Sequence, residues 1–294
     1  MIKFSGLSTV MEDFLIDQSF TVDTGINGRV QLVGIRGCSI RRSMGAVTGI
    51  SVSAGNRISD RYDDAMFVFG EKRNGSRFSA IFPMSTKPGI ASFRLSSYSS
   101  PTKGCPVIQC GQYNYRRGIH KGKEALRQNG PVVVRRDVDN DTIIEPTDYW
   151  DYPEYTGINI HAGGSSSRVG LNSSGCQVVY GGWFGQDWRQ FHDIVYDIAA
   201  GQKDYHYTVI SGLFFGSWYD SLNKDRYKWL WYGSRGDKVY NLQKRLKSMG
   251  LYNGNFDGVF GVETHKAVRR YQMGIKEFVD GIVDNATGNK LGIF

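Results

Sequence analysis

The chain has 294 residues, 40% of them hydrophobic, and 36 Lys+Arg against 28 Asp+Glu, a net charge of +8. That length allows one large or two smaller domains, and that apolar fraction excludes wholesale disorder. No segment approaches the roughly 18 consecutive apolar residues of a membrane span, and no dense Lys/Arg run marks a nucleic-acid arm, so the excess positive charge points to an anionic polymer as partner.

The first twenty residues hold Met11, Phe14, Leu15 and Ile16, but Glu12, Asp13 and Asp17 interrupt them. They do not form the apolar core of a signal peptide, and the expectation is a protein made and kept in a cytoplasm until another agent releases it. Residues 28–40 alternate as a strand, and 45–53 form a weaker one. Residues 65–69 and 77–82 read as a hairpin across a turn at 71–75. Ser85-Thr86-Lys87-Pro88-Gly89 is a Pro-Gly turn. Tyr113 stands in a basic, aromatic patch with Tyr115, Arg116 and Arg117, followed by Gly118-Ile119-His120-Lys121-Gly122. His120 has two readings, a cleft histidine that holds substrate or moves a proton and a loop histidine on a solvated face. Lys123 to Gln128 reads as a helical turn and 131–135 as a strand.

Asp137, Asp139 and Asp141 alternate as a calcium loop begins, but Thr142 stands where the tight turn wants Gly and no helical pattern flanks it. The default is a polar hairpin turn. The four cysteines (Cys38, Cys105, Cys110, Cys176) are too few and scattered for a disulfide scaffold and lack zinc-site spacing, so free thiols, no metal and no cofactor are expected.

Residues 157–180 read as strand, Gly/Ser loop, turn, strand. His161 ends the first apolar run and Cys176 precedes the second. Such a unit can bring the two side by side, where imidazole can take the proton of the thiol. Gly175 permits a backbone that turns its own amide and that of Cys176 toward one point, as an oxyanion requires. The alternative is a small buried hydrophobe beside a structural histidine. Downstream, residues 187–200 carry Trp188, Phe191, Val195 and Ile198 at helical spacing, with His192 as a partly buried helix residue. Residues 205–210 form a strand in which His206 faces outward.

Ile158-Asn159-Ile160-His161 and Ser173-Ser174-Gly175-Cys176-Gln177-Val178 resemble the L,D-transpeptidase catalytic domain, and more closely a variant found in bacterial-virus and bacterial cell-wall enzymes. The resemblance implies a Cys176 nucleophile and a His161 base acting on peptidoglycan stem peptides. Ser174 occupies the position of the His or Arg of the transpeptidase signature and is taken, with His120 and Tyr113, as a substrate contact.

The last sixty residues form a second unit. Val239, Leu242 and Leu246 lie at helical core spacing, a tight loop Asp257-Gly258-Val259-Phe260-Gly261 follows, and Ala267, Val268 and Tyr271 mark a second helix. Asp280-Gly281 repeats the loop before a short third helix. Leu242-Gln243, Tyr252, Asp257 to Gly261, Thr264, Ala267-Val268 and Gln272 closely resemble the three-helix peptidoglycan-binding module, with Tyr252 and Phe260 as candidate wall contacts. The expected fold is α+β: a predominantly β, L,D-transpeptidase-like domain over 1–220, a linker over 221–233 and a three-helix peptidoglycan-binding domain over 234–294. The expected function is that of an endolysin-like peptidoglycan hydrolase. It would be a monomer, without nucleic-acid or membrane partners, made in a host bacterial cytoplasm and acting in the periplasm or wall after release. A cross-linking L,D-transpeptidase and a non-catalytic wall-binding virion component are the alternatives.

Overall fold

The computed structural model describes residues 1–55, 60–94 (backbone only at 93 and 94), 104–139, 141–144 and 148–294. The chain divides into two compact units. The first holds Met1–Ser8, Asp23–Gln109 and Tyr113–Gly216, and the second Thr9–Val22, Cys110–Gln112 and Ser217–Phe294. The architecture is mixed α+β, a strand-rich first unit and a helical second one.

The first unit is built on a closed eight-stranded barrel. In chain order its strands are β1 (Val30–Arg36), β2 (Asp64–Glu71), β3 (Arg77–Ser85), β4 (Gly111–His120), β5 (Lys123–Gln128), β6 (Ile160–Ala162), β7 (Gln177–Val179) and β8 (Asp204–Ser211). Around the barrel they run β6-β7-β3-β2-β1-β8-β4-β5, and Ile160 pairs with Leu126 to close it. β2 and β3 form the antiparallel hairpin anticipated from the apolar run at 65–69, the strand at 77–82 and the turn between them. β1 is buried along its whole length, as its run Val-Gln-Leu-Val-Gly-Ile-Arg requires. Gly34 serves the packing, because a Cβ there would lie 2.1 Å from the Tyr207 hydroxyl on the neighbouring strand.

Lys123–Gln128 is a strand and not a helical turn. It pairs antiparallel with β4, His120 opposite Lys123, across a two-residue turn. Both turn residues have positive φ, Lys121 at 50° and Gly122 at 76°. That is the backbone twist a tight hairpin favours, and it overrides the helix propensity of Lys-Glu-Ala-Leu-Arg.

The barrel interior carries a polar chain. The Tyr207 hydroxyl donates to Gln177 Oε1, and Gln177 Nε2 donates to the Thr86 carbonyl. The Thr86 amide and hydroxyl both donate to Asp64, which also accepts from the Gly37 amide. The buried Lys87 ammonium lies 3.4 Å from Asp64. Thr86 and Lys87, read from sequence as part of a turn, are thus fully buried and hold the end of β3 in place. A buried carboxylate is retained only with such donors around it.

In the second unit, α2 (Asp237–Ser248), α3 (Val262–Gly274) and α4 (Asn285–Leu291) enclose one core, with the helix α1 (Gln186–Asp193) lying earlier in the first unit. Val239, Leu242, Leu246, Ala267, Val268 and Leu291 meet there. Leu230, in the stretch read from sequence as a linker, belongs to the same core. The N-terminal segment joins this unit through Phe14, edge-on to Trp218 at 5.2 Å, and Asp17, which accepts from the Trp218 indole.

The repeated Asp-Gly loops have a repeated physical cause. Gln243 on α2 donates to Asp257 Oδ1 and the Val259 carbonyl and accepts from the Gly258 amide. Gln272 on α3 does the same to Asp280, Ile282 and Gly281. Each loop is therefore clamped by one buried glutamine, and Gly258 and Gly281 supply the positive φ (66° and 74°) that turns their amides inward. Because truncation strands several buried donors and acceptors, Gln243→Ala or Gln272→Ala is expected to destabilise this unit by about 2–3 kcal/mol, read as a shifted urea midpoint.

Candidate functional site

β6 and β7 run parallel, with Ile160 opposite Gln177 and His161 opposite Val178. The Gln177 amide donates to the Asn159 carbonyl at 2.8 Å, which extends the register one residue back. Side chains alternate along a strand, so His161 and Cys176 fall on the same face, two positions apart. Ring nitrogens of His120 and His161 and the Cys176 sulfur all lie within 4.8 Å of one another. The first condition for cysteine chemistry, proximity of thiol and imidazole, is met.

Hydrogen bonding assigns the protons. His161 Nδ1 lies 2.8 Å from the Ala162 carbonyl, which can only accept, so Nδ1 carries the hydrogen and Nε2 the lone pair. The Gln128 amide donates to Asn159 Oδ1, which turns Asn159 Nδ2 onto His120 Nδ1 at 3.0 Å. His120 therefore has the opposite tautomer, with its hydrogen on Nε2. The imidazoles stack at 4.6 Å, and Trp183 lies nearly parallel to His161 at 5.8 Å, 11° from coplanar.

Charge is disfavoured throughout. Burial pushes His161 down to about 4, with the neighbouring His120 and Lys121 adding to the effect against the Ala162 bond. Burial, then Lys121 and Arg127, lowers His120. Burial raises the Cys176 thiol, which donates to the Gly157 carbonyl at 3.2 Å. Both shifts favour the uncharged forms, a neutral thiol beside a neutral imidazole.

The other sequence candidates divide. Gly175 has φ 130°, and a Cβ there would sit 2.9 Å from the Pro106 carbonyl and ring, so no other residue fits. Its amide donates to Ser173 Oγ at 3.1 Å. The Gly175 amide is therefore committed to Ser173 and does not join the Cys176 amide in the expected two-amide cradle. Ser174, two residues before Cys176, is half-buried and donates to Ser92 Oγ. Tyr113 is not a cleft residue; it is buried and donates to the Gln109 carbonyl. Tyr252 and Phe260 are core residues too, Tyr252 at 3% exposure with its hydroxyl on the Asn255 carbonyl and Phe260 at 0%. Their apolar bulk goes into the three-helix core and is unavailable to a wall polymer. His206 is half-buried and its Nδ1 lies 2.7 Å from Asp23, where sequence alternation placed it outward.

Two donor sets are of a kind that holds cations. His120, His161 and Cys176 suit a soft ion and Asp137, Asp139 and Asp141 a hard one. In the latter, Asp137 accepts from the Thr142 amide, Asp139 from Asp141 and Asp141 from Ile143, the bonding of a polar turn. Sequence reading missed Asn159 and Trp183 as parts of the site. Asn159 is two residues before His161 and hence on its face, a signal present in the strand alternation. The ring of Trp183 arrives from a turn whose direction no local pattern encodes.

The C-terminal helices define a domain class. Residues 235–291 match the family described as "Putative peptidoglycan binding domain", and this segment is a domain of that family. A spore cortex-lytic enzyme of Bacillus subtilis is 49% identical over 61 residues, 20% of this chain and 20% of that protein. A spore cortex-lytic enzyme of Halalkalibacterium halodurans is 50% identical over 52 residues, 18% and 16% of the two chains. An N-acetylmuramoyl-L-alanine amidase, CwlM, of Mycobacterium tuberculosis is 47% identical over 47 residues, 16% and 12%. A solved structure, the SleB N-terminal domain, is 39% identical across 22% of this chain and 88% of its own, with a TM-score of 0.22. The chain spans about a fifth or less of the length of these three curated relatives.

The electrostatics make two outcomes measurable. His161 binds its proton at about 4 when folded and at the ordinary 6.5 when unfolded. Below 6.5 the unfolded chain binds more protons, so its stabilising contribution, on the order of 3 kcal/mol, is present above pH 6.5 and lost as pH falls toward 4. The melting temperature should fall across that window, and less steeply in His161→Asn. Alkylation of Cys176 by iodoacetamide, followed by mass spectrometry, should be slow at pH 7 and accelerate only in alkaline solution. Rapid alkylation at pH 6 would mean a preformed thiolate.

Proposed function

We propose that this protein is a peptidoglycan hydrolase, endolysin-like in the sense of its resemblance to bacterial-virus wall enzymes, with Cys176 as nucleophile. The observation that carries the reading is the placement of the His161 ring and the Cys176 sulfur within 4.8 Å on one strand face. A domain of a peptidoglycan-binding family in the same chain supports the choice of polymer, as does its similarity to cortex-lytic enzymes and an amidase.

In the proposed reaction His161 Nε2 accepts the thiol proton as Cys176 Sγ attacks an amide carbonyl of a stem peptide or cross-link. The Cys176 amide donates to the oxyanion. The C–N bond breaks, and the imidazolium returns its proton to the departing amine. Water then gives a proton to His161 and its oxygen to the thioacyl carbon, and the C–S bond breaks to regenerate the thiol and release a carboxylic acid. Starting from neutral partners suits this sequence, because one proton moves out and back within a site that disfavours net charge.

Product analysis on purified sacculi tests the reading. The wild type should release fragments bearing one new carboxylate and one new amine per cleavage. Cys176→Ala should lower the rate by at least ~10³-fold while the protein still binds sacculi. Undiminished lysis by Cys176→Ala, or products with new cross-links in place of new termini, would overturn it.

A further inference from the structure

Residues 181–185 form a closed turn after β7. Gly181 and Gly182 take positive φ, 111° and 69°, and a Cβ on Gly185 would lie 1.8 Å from the Gly181 carbonyl. The turn is bonded at both ends, Gly181 N–H to the Gly164 carbonyl and Gly185 N–H to that of Gly182. This compact loop projects two aromatic rings. Trp183 is wedged between His161, 11° from coplanar, and the buried Trp188, edge-on at 5.4 Å. Phe184 stays 78% exposed. Lys123, from β5, places its ammonium 5.8 Å over Trp183 and 5.1 Å over Phe184.

These groups border a groove of about 340 Å³, completed by Glu124, Arg189, His192 and Asp193. A volume of that size accommodates a short peptide segment. The groove's charges are sorted. Both of its carboxylates turn to His192, Glu124 at 2.8 Å and Asp193 at 3.8 Å. Neither Lys123 nor Arg189 makes an ion pair among the described residues, and both are exposed. The result is an aromatic shelf bearing two uncommitted cations, and its inner ring stacks on the proposed base.

We infer that this shelf, Trp183 and Phe184 with Lys123 and Arg189, is the subsite for a carboxylate-bearing residue of the stem peptide beside the scissile amide. The inference rests on the proposed hydrolase reading and names where its substrate lies. Continuity carries it, since Trp183 is one ring removed from the nitrogen that accepts the thiol proton. Charge complementarity chooses the ligand: a neutral sugar could stack on Trp183 but would leave both cations unanswered, whereas an amino acid with a free carboxylate satisfies ring and charge together.

Binding is best measured with the Cys176→Ala protein, which leaves ligand intact, and two probes, synthetic alanyl-γ-glutamyl-lysyl-alanine and the same peptide with its carboxylates amidated. Tryptophan fluorescence should change on addition of the free acid. Amidation, or Lys123→Glu with Arg189→Glu, should weaken binding roughly tenfold or more. Trp183→Phe, chosen to preserve folding, should reduce the fluorescence response and weaken binding by a smaller factor. In the otherwise wild-type chain, the charge-reversed pair should raise KM for sacculi with kcat little changed. Equal affinity for both peptides, or charge reversal without effect on affinity and KM, overturns the subsite even where sacculi are still cleaved. A wild type that releases no new termini would instead remove the hydrolase reading, which the peptide titration does not measure.

Discussion

The parallel register between β6 and β7 is the constraint on which the site depends. Ile160 opposite Gln177 fixes His161 and Cys176 on one face, and a slip of one residue on either strand would send one of them to the other side of the sheet. Three features pin that register. The Asn159 carbonyl holds the Gln177 amide, the Gln177 side chain is tied to Tyr207 and Thr86 inside the barrel, and Gly175 admits the close approach of Pro106. The buried Asp64–Lys87 pair, through Thr86, thereby contributes to holding Cys176 in place without touching it.

The same burial that fixes the geometry sets the chemistry. A thiolate–imidazolium pair needs solvent or counter-charge, and the rings of His120 and Trp183 stacked on His161 supply neither. Each histidine is locked into one tautomer by a backbone carbonyl or an amide, so the lone pair and the N–H of the two rings are assigned before any ligand arrives. Burial thus favours the protonated thiol at Cys176, next to an imidazole it also holds neutral.

The helical unit shows how a short domain with a small core is held together. Its two loops are closed by the amides of Gln243 and Gln272, each reading an Asp-Gly turn in the same way, while Phe260 and Val283 anchor them in the core. Tyr252 and Phe260, the residues most suggestive of ligand contact in the sequence, are consumed by the core. An aromatic beside a glycine turn reads alike in sequence whether it faces solvent or interior. Only the direction of the turn, set by positive φ at Gly258 and by the helix it leans on, separates the two.

The sequence by itself determined the strands and helices with strong periodicity: the β2–β3 hairpin, the outer helices and the repeated Asp-Gly loops. It also marked His161 and Cys176 as a candidate pair, because the apolar runs flanking them are local properties of the chain, while the register that brings them together is tertiary. Tertiary structure decided the rest. It made Lys123–Gln128 a strand through pairing with β4, put Tyr113 inside, gave the Gly175 amide to Ser173, and brought Asn159 and Trp183 to the two histidines. The physical reason is the same in each case. A side chain's partner across the barrel is set by closure and register, which depend on residues tens of positions away, whereas its secondary structure is set within a few.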